Sequence, residues 1–217
     1  MPSLRSTYRP LSVSFYDRSV VDVARDLLGK QLIRESDEGI CRGRIVEVEA
    51  YLAEQDPACH AARGMTKRNA AMFGPPGRAY VYTIHSRWCF NVVTEPENVP
   101  SAVLIRAIEP LEGLPQMQQR RGTEVLLDLT RGPARLCEAL SIDRSLDNWD
   151  LTRGKTLWIS DAPARTANSS PQEISEEVHA STRIGLSSAQ DLLLRFFYRN
   201  NRFVSGSRKI NLPGSTA

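Results

Sequence analysis

The chain has 217 residues, of which 41% are hydrophobic, a length and composition that suit one folded domain and exclude a chain disordered throughout. Its 28 Lys and Arg against 25 Asp and Glu give a net charge of +3, which permits a nucleic-acid partner without requiring one. No apolar run approaches the ~20 residues that cross a bilayer, and the first residues lack the apolar segment of a signal peptide, so we expect no membrane partner and a cytoplasmic location.

The chain contains four scattered cysteines without a CxxC pair: Cys41, Cys59, Cys89 and Cys137. In a chain of this length, that spacing argues against a disulfide framework and against a zinc ribbon, so we expect reduced thiols. Cys59, His60, His85 and Cys89 could converge on a metal, but their spacings match no zinc signature. We therefore predict no metal site and no cofactor.

The first predicted element is a helix at Ser19–Leu28. Apolar residues recur there at helical spacing, the start resembles a capping box, and Gly29 follows where a C-terminal cap belongs. Lys30–Arg34 and Ile40–Tyr51 are predicted strands, and the polar turn between them indicates an antiparallel hairpin.

Further strands are predicted at Arg78–Ile84, which is rich in aromatic and β-branched residues, and at Ala102–Ile108. Prolines near a first turn indicate helices at Pro110–Arg121 and Pro133–Leu140. The polar, proline-bearing segment Asp161–Glu173 is predicted to be a surface loop.

Near the C-terminus, Leu192–Gly206 is predicted to be a strand that runs into an exposed basic end, and residues 1–13 and 208–217 are predicted to be loosely ordered. No internal repeat or linker divides the chain. These elements predict a single α+β domain over residues 1–217, with a curved, largely antiparallel sheet flanked by helices.

The strand that ends at Tyr51 carries the first candidate chemistry. Strict alternation places one set of residues on the core face, namely Val46, Val48 and Ala50, and a second set on the other face, namely Ile45, Glu47, Glu49 and Tyr51. Two carboxylates on a half-buried face indicate either an ordinary solvated face or a site that uses them. The phenol of Tyr51 and the nearby His60 favour a site.

The run RAYVYTIHSRWCFN is the second concentration of candidate residues. Tyr80 and Tyr82 share a strand face, which core packing explains in most proteins. Core packing does not explain the residues that follow at the predicted tip, which are His85, Arg87 and Trp88. Aromatic and cationic groups at an exposed edge suit base stacking and phosphate contacts, and the preceding loop adds Lys67 and Arg68.

Several long motifs together resemble the alkyladenine (3-methyladenine) DNA glycosylase family: GRIVEVEAYL, DPACHAARGMTKRNAAMFGPPGRAYVYTIH, NVV, LIRAIEPLEG and RGPARLCEAL. The resemblance runs from about Leu27 to the C-terminal RFFYRNNRFVSG. It implies a monofunctional enzyme that flips damaged purines out of double-stranded DNA and hydrolyses their N-glycosidic bond, which starts base excision repair. Its substrates would be 3-methyladenine-type lesions, with hypoxanthine and ethenoadenine as further candidates.

The resemblance also implies roles for individual residues. Glu49 matches the general base that activates water, and Arg106 matches an arginine near that water. The rings that stack the flipped purine match three residues, Tyr51, His60 and Tyr82. Asn91 matches an asparagine that crowds the exocyclic amine of guanine, and His85 falls where the family's wedge tyrosine enters the duplex. Glu47 is interpreted as either supporting the catalytic groups from behind or purely structural.

The chain departs from the common family pattern in one segment. Between Tyr82 and Asn91 it is one residue shorter, and the wedge tyrosine is absent. Arg87 and Trp88 therefore compete with His85 as the wedge, and the assignment of Asn91 depends on where the gap lies.

Two other functions remain open from the sequence. A non-catalytic nucleic-acid-binding module on a similar fold would keep the basic and aromatic edge but would have no use for Glu49. A hydrolase of free glycosides is a weaker hypothesis, because two carboxylates on one strand edge are poorly placed to lie across a sugar from each other. For the glycosylase we expect a monomer that acts on damaged duplex DNA in the cytoplasm, with the nucleoid in a bacterium.

Overall fold

One antiparallel sheet of eight strands organises the fold in the computed structural model, which describes residues 8–161 and 177–206. The strands are β1 (Gln31–Ser36), β2 (Gly39–Tyr51), β3 (Ala79–Ile84), β4 (Arg87–Thr94), β5 (Ser101–Glu112), β6 (Leu157–Ser160), β7 (Val178–Ser181) and β8 (Arg195–Tyr198). The α-helices are α1 (Val13–Tyr16), α2 (Val20–Leu27), α3 (Leu114–Arg121), α4 (Leu127–Thr130) and α5 (Pro133–Ala139). Short 3-10 helices lie at Ala70–Phe73, Arg144–Leu146 and Leu151–Arg153.

Strand β2 is the centre of the sheet. The order is β3-β4-β5-β2-β1-β6, while β8 pairs with both β2 and β7, and every pairing is antiparallel. β5 follows one edge of β2, whereas β1 and β8 pair with successive parts of its other edge. The curled antiparallel sheet with its few helices confirms the predicted α+β fold and the β1–β2 hairpin.

The amphipathic helix near the N-terminus is confirmed as α2. It buries four apolar side chains against the main core, Val20, Val23, Ala24 and Leu27. Gly29 follows with φ of +84°, a conformation that glycine adopts readily, so the chain turns directly into β1.

The alternation predicted for β2 is wrong at two positions. The ladder to β5 shifts register between Ile45 and Glu47 and again between Glu47 and Val48. As a result Ile45 lies in the main core, and Val46 packs with Ala107 and Phe203 in a separate small cluster. A period-two pattern cannot reveal such a bulge, because the bulge adds a residue to one strand only.

The predicted helix at Pro110–Arg121 is wrong in its first part. β5 continues through Pro110 to Glu112, and α3 begins only at Leu114, with Pro115 in its first turn. Pro110 lies opposite Gly43, beside a register shift, where a strand tolerates a residue that cannot donate a ladder hydrogen bond.

The described segments nearest the two ends, residues 8–12 and 195–206, are held by the rest of the fold. The Leu11 amide donates to the Ile159 carbonyl at 2.9 Å, and the Trp158 indole donates to the Tyr8 carbonyl at 3.0 Å, so the residues just before α1 are anchored. The predicted C-terminal strand is confined to β8, where Arg195 is fully buried instead of belonging to an exposed basic end. After β8, Arg199 and Arg202 are exposed, but the next three residues are buried again. The predicted loop after Asp161, up to residue 173, lies outside the described residues, as do residues 1–7 and 207–217.

Gly113, which joins β5 to α3, generates a stability prediction. Its φ is +80°, and a Cβ there would lie 2.7 Å from the Cys41 sulfur and closer still to the Ile40 carbonyl. We expect Gly113→Ala to lower the free energy of unfolding by about 3 to 4 kcal/mol. The new Cβ would overlap neighbouring atoms, and alanine would also be strained at a positive φ. The control is Gly122→Ala, since Gly122 has φ of +61° but nothing within 4 Å, and strain alone costs about 1 kcal/mol. Urea unfolding measures the free energy of unfolding of both variants. Equal losses would contradict a role for steric overlap at Gly113.

Candidate active site

Glu49 lies at the centre of a buried hydrogen-bonded cluster on β2. Its Oε1 is 3.1 Å from Arg106 Nη1 and accepts the Ile184 backbone N–H at 2.8 Å. Its Oε2 accepts the Tyr51 hydroxyl at 2.9 Å. Glu49 is fully buried, so the reading of an ordinary solvated strand face is wrong. A carboxylate has about four acceptor positions, and these three contacts leave one for a further donor, on Oε2.

Arg106 joins the two glutamates from the neighbouring strand β5. Its Nε donates to Glu47 Oε1 at 3.0 Å, and its Nη1 faces Glu49. Burial alone would lower the pKa of Arg106, but the charges of Glu49 and Glu47 raise it overall. Arg106 is therefore a permanent cation between two carboxylates.

Glu47 is held by donors from three directions. Its Oε1 accepts from Arg195 Nε at 2.7 Å and from the Ser205 hydroxyl at 2.9 Å, and its Oε2 accepts from the Ser205 amide at 2.7 Å. Burial alone would raise the pKa of Glu47, but Arg106 and Arg195 lower it overall. Glu47 thus ties β2 to β8 and to the chain after it, an arrangement that suits the predicted structural role.

A pocket of about 420 Å³ opens beside this cluster on the same side of the sheet. Its walls include Tyr51, His60, Tyr80, Tyr82, Asn91 and Arg106. Glu49 is not among the lining residues and lies directly behind Tyr51 and Arg106. The volume is that of a small-molecule site, and the lining combines aromatic rings with a few fixed polar groups.

Three aromatic rings in the pocket hold one another in place. Tyr80 and Tyr82 stack with centroids 5.2 Å apart, and His60 stands edge-on to Tyr82 at 4.4 Å. His60 Nδ1 is 2.8 Å from the Tyr80 hydroxyl. Burial, and then the charge of Arg68, lower the pKa of His60, so the ring is neutral at pH 7. Tyr80, for which the sequence indicates core packing, therefore also belongs to the candidate site.

The β3–β4 hairpin ends in a regular two-residue turn. The strands pair without interruption as far as Ile84 and Arg87, and the turn residues His85 and Ser86 have φ of +47° and +63°. Positive φ at both positions is typical of a type I′ hairpin turn. This regular pairing places the tip at His85, and it places Asn91 opposite Tyr80, where its amide donates to the Tyr80 carbonyl at 3.0 Å.

The predicted DNA-contacting residues are only partly brought together. His85 and Arg87 line the mouth of the pocket, together with the exposed side chain of Ile84. Trp88 lies on the other side of the hairpin, half-buried against the main core. Arg68 is exposed, donates to the Thr83 carbonyl and lies 5.9 Å from the Tyr82 ring centroid, whereas Lys67 is exposed outside the pocket lining.

Several buried charged residues of the site were not found from the sequence. Asp56 and Arg183 form a two-contact ion pair at 2.6 and 2.7 Å, and Arg195 holds Glu47. Arg183 and Arg195 lie 127 and 148 residues from their partners along the chain, so no local pattern points to them. The sequence offers two signals for such pairs. One is Glu47 within a predicted strand, and the other is Arg195 within the apolar run LLLRFFY.

The described residues offer no metal centre and no membrane-spanning helix. Within residues 8–161 and 177–206, no three His, Cys, Asp or Glu side chains are grouped as a metal site. All four cysteines are free and buried, and burial raises the pKa of Cys59 to about 11. No helix in these same ranges is long and apolar enough to cross a bilayer.

Comparison with known proteins identifies the family. The family model for methylpurine-DNA glycosylase (MPG) matches residues 14–202. The chain belongs to the methylpurine-DNA glycosylase family. Membership confirms the resemblance found in the sequence and makes this protein a DNA glycosylase, a hydrolase that removes damaged bases from DNA, so the non-catalytic alternative is wrong.

Individual relatives of the glycosylase match along nearly their whole length. A protein of Carboxydothermus hydrogenoformans is 46% identical over 193 residues, which is 88% of this chain and 96% of the relative. One of Methanoculleus marisnigri is 46% identical over 196 residues (90% and 98%), and one of Chlorobaculum parvum is 44% identical over 201 residues (91% and 91%). All three carry the provisional name 3-methyladenine DNA glycosylase.

The buried position of Glu47 in the glycosylase generates a second stability prediction. We expect Glu47→Gln to lower the free energy of unfolding by about 3 kcal/mol at pH 7, because it leaves two buried guanidinium groups with one carboxylate fewer. The lowered pKa of Glu47 means that its contribution is present above the unfolded pKa of about 4.5 and is lost as the pH falls through the folded pKa. The difference in unfolding free energy between the wild type and Glu47→Gln should therefore shrink in acid.

The matched control is Glu112→Gln, which breaks the partly exposed pair with Arg42 and should cost less than about 1 kcal/mol. Urea unfolding at pH 7 and at pH 4 measures both variants. Similar small losses for the two would contradict a structural role for Glu47.

Proposed function

We propose that the protein is a monofunctional glycosylase that flips alkylated purines, of the 3-methyladenine type, out of duplex DNA and hydrolyses the N-glycosidic bond with a water activated by Glu49. The observation that carries this proposal is a buried carboxylate–arginine pair, Glu49 with Arg106 at 3.1 Å, directly behind an aromatic pocket. No cofactor takes part in this reaction. We expect the enzyme to act as a monomer in the cytoplasm, with the nucleoid in a bacterium.

The chemistry requires one carboxylate with two functions. Cleavage of the bond to the base leaves an oxocarbenium-like sugar, whose positive charge a nearby carboxylate stabilises, and the same group takes a proton from the attacking water. Glu49 Oε2 has one acceptor position left beside the Tyr51 hydroxyl, and the water would occupy it. Arg106, held by Glu47 from behind, orients the carboxylate toward that water.

The pocket supports recognition of a flipped purine by stacking. Extrusion of a nucleotide costs a few kcal/mol, least for damaged or mispaired bases, and each base–aromatic contact returns about 1 to 3 kcal/mol. Tyr51, His60 and Tyr82 provide the rings. Asn91 would reject guanine, because its amide is fixed against the Tyr80 carbonyl and cannot move away from an exocyclic amine.

The hairpin tip would contact the duplex. His85, at the turn, is the proposed wedge that occupies the gap left by the flipped nucleotide, and Arg87 beside it would contact a phosphate. Lys67 and Arg68 add charge on the neighbouring loop. Trp88 is packed against the main core and would support the hairpin from behind.

Glu49→Gln tests the mechanism directly. We expect the variant to lose base excision by at least about 100-fold, because an amide cannot take the proton of water, while affinity for damaged duplex stays within about threefold. The measurements are single-turnover excision, scored as abasic sites after alkaline cleavage, and equilibrium binding to the same duplex.

The comparison variant is Glu47→Gln, assayed where it is fully folded, and it should retain most of its excision activity. An equal loss in both variants would mean that the two carboxylates act as a unit. Excision by Glu49→Gln at the wild-type rate would disprove the mechanism.

The hairpin tip generates a prediction about substrates. A histidine buries less area than the tyrosine wedge, so the flipped state should be less populated, and lesions with stable bonds should suffer most. We expect 3-methyladenine to be excised much faster than hypoxanthine or ethenoadenine, and His85→Tyr to improve excision of the two neutral lesions. Single-turnover rates on otherwise identical duplexes measure this, and similar wild-type rates for all three lesions would refute it.

The wedge assignment is checked by His85→Ala and Trp88→Ala in the same assay. A loss of neutral-lesion excision in His85→Ala, with little effect of Trp88→Ala, supports His85. The reverse pattern would move the wedge to Trp88.

A further inference from the structure

All six buried Asp, Glu, Lys and Arg side chains in residues 8–161 and 177–206 belong to one region at the end of β2. They are Glu47, Glu49 and Asp56 against Arg106, Arg183 and Arg195, and none is more than 7% exposed. Three negative charges balance three positive charges. The proposed mechanism uses only part of this set, and the Asp56–Arg183 pair has no function in it.

Asp56 and Arg183 form a fully enclosed pair, as Glu47 and Arg195 do. Arg183 Nη1 donates to Asp56 Oδ2 at 2.6 Å and Nη2 donates to Oδ1 at 2.7 Å, and both side chains are fully buried. Asp56 also accepts the backbone N–H groups of Leu52 and Ala58, each at 3.1 Å. In all four of these contacts the Asp56 carboxylate accepts a hydrogen bond.

Arg183 lies directly against a ring of the pocket. Its guanidinium carbon is 4.6 Å from the centroid of Tyr51, so the cation covers one face of that ring. Tyr51 lines the pocket whereas Arg183 does not, so a stacked purine would contact the opposite face. Burial alone would lower the pKa of Arg183, but its hydrogen bonds with Asp56 raise it overall, so the cation persists at neutral pH.

We infer that Asp56 is a specificity-determining residue for the charge of the lesion. By neutralising Arg183 behind Tyr51, it allows the ring to stack on a purine that itself carries a positive charge. This inference rests on the proposed function and deepens it. Without Asp56, a cationic alkylated purine and a buried guanidinium would lie on the two faces of one ring.

The size of the effect follows from the geometry. A purine stacked on Tyr51 would lie roughly 8 Å from the guanidinium carbon, since stacked rings are separated by about 3.5 Å. At an effective dielectric constant of about 20, one charge at that distance changes an equilibrium about thirtyfold, and screening by water at the pocket mouth reduces this to about tenfold.

The charge difference between lesions persists through the reaction. Water attacks the sugar carbon, its proton passes to Glu49, and the electron pair of the broken bond goes to the base. A cationic base therefore leaves neutral, whereas a neutral base leaves as an anion until a proton reaches it. At each stage before that protonation the two bases differ by one unit of charge, so an uncompensated Arg183 always disfavours the cationic lesion relative to the neutral one.

The test is the ratio of single-turnover excision rates for 3-methyladenine and hypoxanthine in otherwise identical duplexes. Asp56→Asn removes the negative charge and should lower this ratio about tenfold. Arg183→Gln removes the positive charge and should raise it by a similar factor. The double variant Asp56→Asn/Arg183→Gln restores the balance, and its ratio should return to within about threefold of wild type even if both rates fall.

The matched controls are Asp26→Asn and Arg18→Gln, which change net charge by the same amounts in an exposed pair with a 2.9 Å contact, and they should leave the ratio unchanged. A purely structural role would lower both rates together in every variant, and an unchanged ratio would overturn the inference. If Asp56→Asn does not fold, Arg183→Gln and the double variant decide by the same criterion. A wild type that excises neither lesion would instead refute the proposed function.

Discussion

The structure depends on the burial of charge where β2, β5 and β8 meet. Moving an ion out of water costs several kcal/mol even after the protein relaxes, so a buried carboxylate persists only with cations and hydrogen-bond donors around it. Glu47 has Arg106, Arg195 and Ser205 as donors, and Arg106 continues to Glu49. The contacts that compensate these buried charges also join three strands. Stability and site geometry therefore depend on the same atoms.

An irregularity on the β5 side of the β2–β5 ladder makes this cluster geometrically feasible. In the ladder to β5, Glu47 is paired with Ala107 and Val48 with Ile105, so the residue between them, Arg106, has no Cα partner there. Bulges commonly redirect a side chain next to a functional site. Here the irregularity lets one guanidinium contact carboxylates on both Glu47 and Glu49.

The sheet separates two environments with different tasks. One side carries the main apolar core, which packs against α2 and α5, and the other carries a smaller cluster rich in aromatic residues. In that smaller cluster, Tyr80 and Tyr82 stack and His60 contacts both rings, so the pocket walls are held before any base arrives. Such preorganisation reduces the entropy lost when a ligand binds.

The sequence by itself determined the elements that depend on local pattern. The apolar spacing of α2, the β1–β2 hairpin, the stacked tyrosines of β3 and the turn at His85 all follow from residues close to one another in the chain. Its long motifs also identified the family, and with it Glu49 as the candidate general base.

Only the tertiary structure decided how the charges are paired. The partners of Arg183 and Arg195 lie more than 100 residues away along the chain. How much such an ion pair contributes to stability depends on its burial, which no local pattern encodes. The bulge at Val46 and the continuation of β5 through Pro110 likewise depend on which strands pair. Periodicity describes one strand at a time, whereas register and charge compensation are properties of strands in contact.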